Sequence, residues 1–179
     1  DPDQPRAELE VPAPRVLVRI LDAWADQRKE ARVLIVLDVS GSMGEPASDD
    51  GRTRLDLAQD AAVSALGQFK DADEVGLWVF STNVDQREGS DAFYREVVPV
   101  APIGQQRDVL SRQIMAQIPL EGTPLYDVTG AAYESMLAAY DPEKINAVVF
   151  LTDGINDDGN VGDDEQQFGD LLSTLRRGS

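Results

Sequence analysis

Cysteine and histidine are both absent from this chain of 179 residues. Their absence excludes disulfide scaffolds, zinc sites with thiolate or imidazole ligands, and nucleophilic systems of the Ser-His-Asp or Cys-His type. A single domain of this length buries roughly 70% of the surface that its unfolded chain exposes, so it needs no such cross-links for stability. A sequence without cysteine is compatible with the cytosol and with a bacterial surface alike.

Long apolar runs are lacking as well, since no stretch approaches the roughly 20 residues that span a bilayer. We therefore expect a soluble domain that does not insert into a membrane. The chain opens at Asp1 with neither Met nor a hydrophobic signal region. This opening suggests a piece cut from a longer protein.

Basic residues are few, because 16 Lys and Arg stand against 33 acidic residues, for a formal net charge of −17 and a pI near 4.2. Such an excess of negative charge repels phosphate backbones and anionic lipid head groups, and the chain has no basic stripe. Nucleic acid is therefore excluded as a partner. Binding of cations is the favoured electrostatic alternative.

The chain divides into three parts by composition. Residues 1–14 carry four prolines and five charges, which is typical of a linker or an extended entry segment. In residues 15–30, apolar side chains recur at helical spacing from Val16, which predicts a leading helix that ends near Lys29; a strand from Val16 to Ile20 is the minor alternative. Residues 31–179 have the character of one folded domain.

This domain alternates strand and helix patterns. Runs rich in β-branched residues predict buried strands at 33–37, 75–80 and 147–151, and strands that are apolar on both faces belong to a parallel sheet covered by helices. Helical periodicity marks residues 55–69, 110–118, 125–136 and 167–176. The order predicts an α/β fold with a doubly wound, mostly parallel sheet flanked by helices.

The two edges of this sheet have different sequence features. Residues 94–100 alternate poorly and contain Pro99, which predicts an edge strand of antiparallel direction. After the last helix no residues remain for a further strand beside the 147–151 strand, so we expect a fold truncated at its C-terminus. An uncovered strand there invites self-association, or coverage by the entry segment.

Three turns with oxygen-bearing side chains follow the predicted strands or precede a helix. Asp38, Ser40 and Ser42 follow the first strand, Thr123 lies in a Gly-Thr-Pro turn that opens a helix, and Asp153 follows the 147–151 strand. Each turn alone is an ordinary turn or helix cap. Because ligands of open α/β sheets lie beyond the carboxyl ends of the strands, we expect the three turns to meet at one crevice. An all-oxygen set of this kind suits a hard cation such as Mg²⁺.

Asp38-x-Ser40-x-Ser42, the Gly-Thr-Pro-Leu at 122–125 and the Thr-Asp-Gly at 152–154 resemble the metal-ion-dependent adhesion site of von Willebrand factor type A domains. The resemblance spans residues 32–176 and implies a Rossmann-like fold. It also implies that Ser40 and Ser42 coordinate Mg²⁺ directly, that Thr123 does so directly or through water, and that Asp38 and Asp153 act mainly through water. Mn²⁺ or Ca²⁺ are possible substitutes for Mg²⁺.

By the same resemblance the domain is an adhesion module and not an enzyme, and an Asp or Glu carboxylate of a protein partner completes the coordination of the ion. The phrase from Val36 to Met43, with the entry region, is most similar to bacterial secreted proteins that carry such a domain behind a solute-binding-like domain. An extracellular or cell-surface location follows from that likeness, and the cytoplasm stays open.

Alternative functions use the same residues. A phosphoryl-transfer enzyme of the haloacid-dehalogenase type would use Asp38 as nucleophile and Asp153 as a metal ligand. Such enzymes need an acid two residues after the nucleophile, and that place holds Ser40, which cannot do the proton transfer near neutral pH. A purely structural domain is the third possibility.

Two further features receive ordinary structural interpretations. The five acids between residues 157 and 165 do not match the EF-hand pattern, so a solvated loop is favoured over a second cation site. Trp24 and Trp78 lie on apolar patterns and are assigned to the core.

Overall fold

The computed structural model describes residues 29–84, 92–154, 156–159 and 163–177. The predicted linker, the predicted leading helix up to residue 28 and Trp24 lie outside the described residues. The rest of the chain forms a four-stranded sheet with helices on both faces. This arrangement confirms the predicted α/β class.

The sheet is mixed, with three parallel strands and one antiparallel strand. Its strands are β1 (Ala31–Asp38), β2 (Glu74–Phe80), β3 (Tyr94–Pro102) and β4 (Ile145–Leu151), in the spatial order β3-β2-β1-β4. β1 pairs in parallel with both β2 and β4, whereas β3 pairs antiparallel with β2. The central position of β1 explains its unbroken apolar sequence, because both of its faces are covered.

Among the described residues, four α-helices cover the sheet: α1 (Arg54–Leu66), α2 (Ile103–Met115), α3 (Leu125–Ala138) and α4 (Asp164–Arg177). α1 and α2 enclose one core with β1 and β2, which includes Leu37, Leu55 and Ile114. α3 covers the opposite face, where Val36, Trp78 and Val128 are buried. α4 lies beyond α3, with its Leu175 carbonyl accepting a hydrogen bond from Tyr133 and its Phe168 ring against Tyr126.

Two predicted helices end earlier than their apolar pattern suggested. Phe69 lies beyond the end of α1, and Ile118 lies beyond α2 with 63% of its surface exposed. Ile118 precedes Pro119, and the residue before a proline is pushed out of the helical region by the proline ring. The side chain of Gln59 also satisfies the carbonyls of Ile114 and Gln117 at 2.9 Å each, which stabilises the end of α2.

No helix among the described residues is long and apolar enough to cross a membrane.

Candidate functional site

The carboxyl ends of β1 and β4 lie side by side. Leu37 pairs with Leu151 in the parallel register, so Asp38 and Thr152 leave the sheet at adjacent points. The connection from β1 to β2 passes through α1, and the connection into β4 passes through α3, on opposite faces of the sheet. A crevice at such a reversal is where open α/β sheets bind ligands.

Asp38 is fully buried at the base of this crevice. Its Oδ1 accepts a hydrogen bond from the backbone N–H of Ser40 at 2.8 Å, and its Oδ2 accepts one from the Thr152 hydroxyl at 2.5 Å. Burial raises the pKa of Asp38, the hydrogen bonds from Thr152 and Ser40 oppose that rise, and the nearby charge of Asp153 adds to it. Both oxygens of the carboxyl group are thus fixed by the protein.

Ser40 and Ser42 lie in a tight turn directly after β1. The turn forms a short 3₁₀-helix, Gly41–Gly44, whose Met43 is buried and anchors it to the core. The two hydroxyl oxygens are 3.1 Å apart, and the Ser42 hydroxyl donates to Oδ1 of Asp153 at 3.0 Å. The turn therefore links the end of β1 to the loop after β4.

Thr123 enters the crevice from a third loop. Leu120 N–H donates to the Val39 carbonyl and Gly41 N–H donates to the Glu121 carbonyl, both at 2.6 Å, which holds this loop against the β1 turn. Thr123 is buried, and its side chain lies near Gly154 in the loop after β4. A methyl group built on Gly154 would be 3.6 Å from Thr123 Cγ2 and 3.9 Å from Asp38 Oδ2.

The backbone of Thr123 is fixed by the loop that follows β4. Thr123 N–H donates to the Asp157 carbonyl at 2.6 Å, and Asp157 N–H donates to the Thr123 carbonyl at 2.8 Å. The neighbouring Asn156 is buried and accepts from Tyr126 N–H at 3.2 Å, while its amide donates to Asp164 Oδ1 at 2.7 Å. This pairing positions Thr123 relative to α3 and α4.

The prediction of a solvated loop for the five acids was wrong in part. Asp157 is held by its pairing with Thr123, and Asp164 and Glu165 form the first turn of α4. Negative side chains are favoured at this position because the helix dipole places partial positive charge at the N-terminus.

The structure thus brings all five predicted residues to one edge of the sheet. Hydrogen bonds connect Asp38 to the Ser40 backbone, and join Ser40, Ser42 and Asp153 into a chain. Two contacts were missed by sequence reasoning: Thr152, which donates to Asp38, and Arg54, which donates to Asp153 Oδ2 at 2.8 Å. Arg54 did leave a signal, because a basic first residue of a helix is unfavourable beside the helix dipole unless something compensates it.

The donor atoms fit a small hard cation. These donors are two carboxylates and three hydroxyls. Within the described ranges, no cluster of three or more acidic side chains is placed to hold a metal ion. Two oxygens on one edge of a Mg²⁺ octahedron lie about 3 Å apart, given metal–oxygen distances of about 2.1 Å. The hydrogen-bonded Ser40 and Ser42 oxygens, 3.1 Å apart, are compatible with that edge.

Comparison with protein families gives one match, in which residues 33–90 fit the model of the von Willebrand factor type A domain. The matched stretch contains Asp38, Ser40 and Ser42. With the sheet order described above, it supports a von Willebrand A-type domain. No curated protein matches the sequence.

Solved structures with the same fold include a matrix protein of the mussel byssus and a pilus adhesin. Proximal thread matrix protein 1 from the mussel byssus is 16% identical with a TM-score of 0.57, and the match covers 82% of this chain and 36% of that protein. The pilus adhesin SpaC from Lactobacillus rhamnosus GG is 21% identical with a TM-score of 0.57, over 73% of this chain and 16% of SpaC. The chain therefore spans only a minor part of each of these proteins, and at such identities the likeness shows the fold alone.

Proposed function

We propose that this domain is an adhesion-type module that binds one divalent cation, Mg²⁺, and captures an Asp or Glu carboxylate of a protein partner through it. Asp38, Ser40, Ser42, Thr123 and Asp153 would hold the ion. The observation that carries the proposal is the chain of oxygens formed by the two serine hydroxyls, 3.1 Å apart, and Asp153, next to the buried Asp38. When bound, the cation would supply a positive centre for an anionic ligand.

The charge of the donors favours capture of an external carboxylate. Three of the five side chains are neutral hydroxyls, and Asp38 already has both oxygens in hydrogen bonds to Ser40 and Thr152. A cation held mainly by neutral oxygens keeps much of its positive charge, and few anionic oxygens favour Mg²⁺ over the more highly coordinated Ca²⁺. Mn²⁺ or Ca²⁺ would be substitutes.

The enzymatic alternative fits these contacts poorly. A nucleophilic carboxylate must reach its substrate, whereas Asp38 is fully buried with both oxygens engaged. We therefore expect no Mg²⁺-dependent phosphatase activity. An extracellular or cell-surface location is part of the proposal, supported by the fold shared with a pilus adhesin and a byssal matrix protein.

Metal binding is tested by calorimetry of chelator-treated protein titrated with Mg²⁺ or Mn²⁺. We expect close to one ion per chain, and loss of binding in the Ser40→Ala, Ser42→Ala double variant and in Asp38→Asn. Ser173→Ala, which removes an exposed hydroxyl on α4, is the control and should bind normally. Circular dichroism checks that each variant is folded. Undiminished binding in the double variant would place the ion elsewhere.

Carboxylate capture is tested with an immobilised peptide library in which each peptide with a central Asp has an Asn counterpart. We expect Mg²⁺-dependent retention of Asp peptides only. Thr123→Ala should weaken retention far more than it weakens metal binding, because Thr123 lies on a loop separate from Ser40 and Ser42. Equal loss of peptide retention and metal binding would show that Thr123 does not adjust how strongly the ion attracts the carboxylate. Tighter binding of Ca²⁺ than of Mg²⁺ by the unaltered protein would contradict the proposed preference for Mg²⁺.

A further inference from the structure

A cationic side chain lies against the proposed metal site. Nη1 of Arg54 donates to Oδ2 of Asp153 at 2.8 Å, to the Ser42 carbonyl at 2.9 Å and to Oε2 of Glu45 at 2.8 Å. The guanidinium therefore touches the turn after β1 and the loop after β4 at once. Its side chain is 37% exposed and lines a surface pocket together with Thr152 and Asp153.

The position of Arg54 in its helix is electrostatically unfavourable. It is the first residue of α1, directly after the N-cap Thr53, where partial positive charge from the helix dipole disfavours a cation. The contacts with Asp153 and Glu45 offset this cost. The charge of Arg54 is therefore balanced by the two carboxylates that it contacts.

Arg54 changes the charge that a bound ion would experience. Asp38, Asp153 and Glu45 together supply three negative charges, and the guanidinium between Asp153 and Glu45 neutralises one of them. The positive charge of Arg54 repels a cation at the site and attracts an incoming carboxylate. It therefore has opposite effects on the two steps of the proposed function.

We infer that the charge of Arg54 has opposite effects on the two binding steps. It weakens binding of the divalent cation and strengthens capture of the partner's carboxylate. The inference rests on the proposed function. It differs from a purely positioning role, because loss of positioning would weaken both steps, whereas loss of the charge shifts them in opposite directions.

The test uses two substitutions at Arg54 and a matched control. Arg54→Gln keeps a hydrogen-bond donor but removes the charge, and Arg54→Lys keeps the charge with a simpler donor geometry. Arg52→Gln is the control, because Arg52 has a similar exposure of 39% and its contacts are with Asp60 and Asp56 on α1. All four proteins are titrated with Mg²⁺, then with Asp peptides retained by the unaltered protein at saturating Mg²⁺.

We expect Arg54→Gln to bind Mg²⁺ about three- to tenfold more tightly and to retain Asp peptides about three- to tenfold more weakly, with both changes reduced at high salt. Arg54→Lys and Arg52→Gln should stay within about twofold of the unaltered protein in both measurements. Weaker or unchanged Mg²⁺ binding in Arg54→Gln, or unchanged peptide retention, would overturn the inference.

A measurement without metal separates this inference from the proposed function. In chelator, Arg54→Gln should lower the melting temperature more than Arg52→Gln does, because Asp153 loses its cationic partner. If the unaltered protein binds no divalent ion, the proposed function fails and the charge role of Arg54 fails with it. If it binds Mg²⁺ and Arg54→Gln does not bind more tightly, only the inference fails.

Discussion

Glu74 lies between two cations at the amino end of the sheet, far from the crevice. Arg32 of β1 donates to its Oε2, and Lys144, just before β4, donates to its Oε1 at 2.6 Å. The hydrogen bond from Lys144, followed by the charges of Arg32 and Lys144, holds the pKa of Glu74 below its usual value of 4.5. The three side chains are at most 20% exposed, so the charges are only partly screened.

The pH dependence of stability follows from this lowered pKa. A carboxyl group whose pKa is lower in the folded state contributes stability above its unfolded pKa, and that contribution is lost as the pH falls through the folded pKa. We expect the free energy of unfolding to fall as the pH drops below 4.5, and Glu74→Gln to lose that part of the dependence. At neutral pH the same variant should lose about 1–2 kcal/mol.

Urea denaturation followed by circular dichroism between about pH 3 and 7 measures both effects. Glu143→Gln, an exposed position two residues before β4, is the control with the same change of charge. Equal pH dependence in Glu74→Gln and Glu143→Gln would show that the network adds no stability.

Gly122 is required by a close approach of two loops. A methyl group at this position would lie 2.5 Å from the carbonyl oxygen of Asp157, on the backbone that pairs with Thr123. Gly122→Ala should therefore destabilise the domain by about 1–3 kcal/mol and weaken metal binding through Thr123. Gly169→Ala is the matched control, because its helical site in α4 has open space and alanine should add up to about 1 kcal/mol there. A stable Gly122→Ala variant with normal Mg²⁺ binding would show that the loops separate without cost.

The five candidate site residues could be predicted because each one follows a strand or opens a helix in a readable local pattern. The partner of Arg54 could not be predicted, although its unfavourable helix position was visible, since Asp153 is 99 residues away in sequence and no local rule relates the two. Thr152 was part of a predicted turn, but its hydrogen bond to Asp38 depends on the register of β1 with β4. Long-range contacts of this kind exist only after the sheet order is fixed.

At the scale of elements, the loop between β4 and α4 connects the site to the outer helix. Asn156 accepts from Tyr126 at the start of α3, donates to Asp164 and Gln167 of α4, and precedes the residue that pairs with Thr123. One buried amide therefore holds the start of α3, the start of α4 and the Thr123 loop in a fixed relation.

Asn156→Ala should cost about 1–3 kcal/mol, because it leaves buried polar partners unsatisfied. Amide exchange at Tyr126 and in the first turn of α4 should accelerate more than exchange in β1. Asn156→Asp should be less stable than Asn156→Ala near neutral pH, since it sets a carboxylate against Asp164. Hydrogen exchange with mass spectrometry measures these changes, and uniform acceleration across the domain would contradict a local role for Asn156.

Element types were predicted well where one interaction dominates. Buried parallel strands need apolar residues on both faces, so β1 and β2 were readable, and Pro99 correctly marked β3 as an antiparallel edge strand. The prediction of β4 as a parallel strand was also correct, but its predicted burial was wrong, because β4 lies at the sheet edge in the described part of the chain and none of its residues is buried. The end of α2 and the start of α4 could not be predicted from the apolar periodicity. Pro119 and the Gln59 side chain act at the end of α2, and the acidic first turn of α4 is favoured by the helix dipole. Helix ends depend on such single contacts and not on the average pattern.

At the scale of the molecule, the net charge of −17 and the exposed edge of β4 have opposite effects on self-association. In the described part of the chain, β4 pairs with β1 on one side only, and Ile145 and Val149 are 51% and 42% exposed. An edge strand with exposed apolar side chains favours pairing with another chain. The like charges of two such molecules oppose that pairing until salt screens them.

We therefore expect self-association of this 179-residue chain that grows with protein concentration and with salt, as the screening length falls from about 14 Å at 0.05 M to about 4 Å at 0.5 M. Val149→Glu should suppress it, because a charge on an edge strand blocks addition of a second strand. Met115→Glu, at a 50% exposed position of α2, makes the same change of charge away from β4 and should not suppress it. Sedimentation velocity in chelator measures the effect without divalent ions, and a monomer at every concentration and salt level would show that β4 does not recruit a second chain.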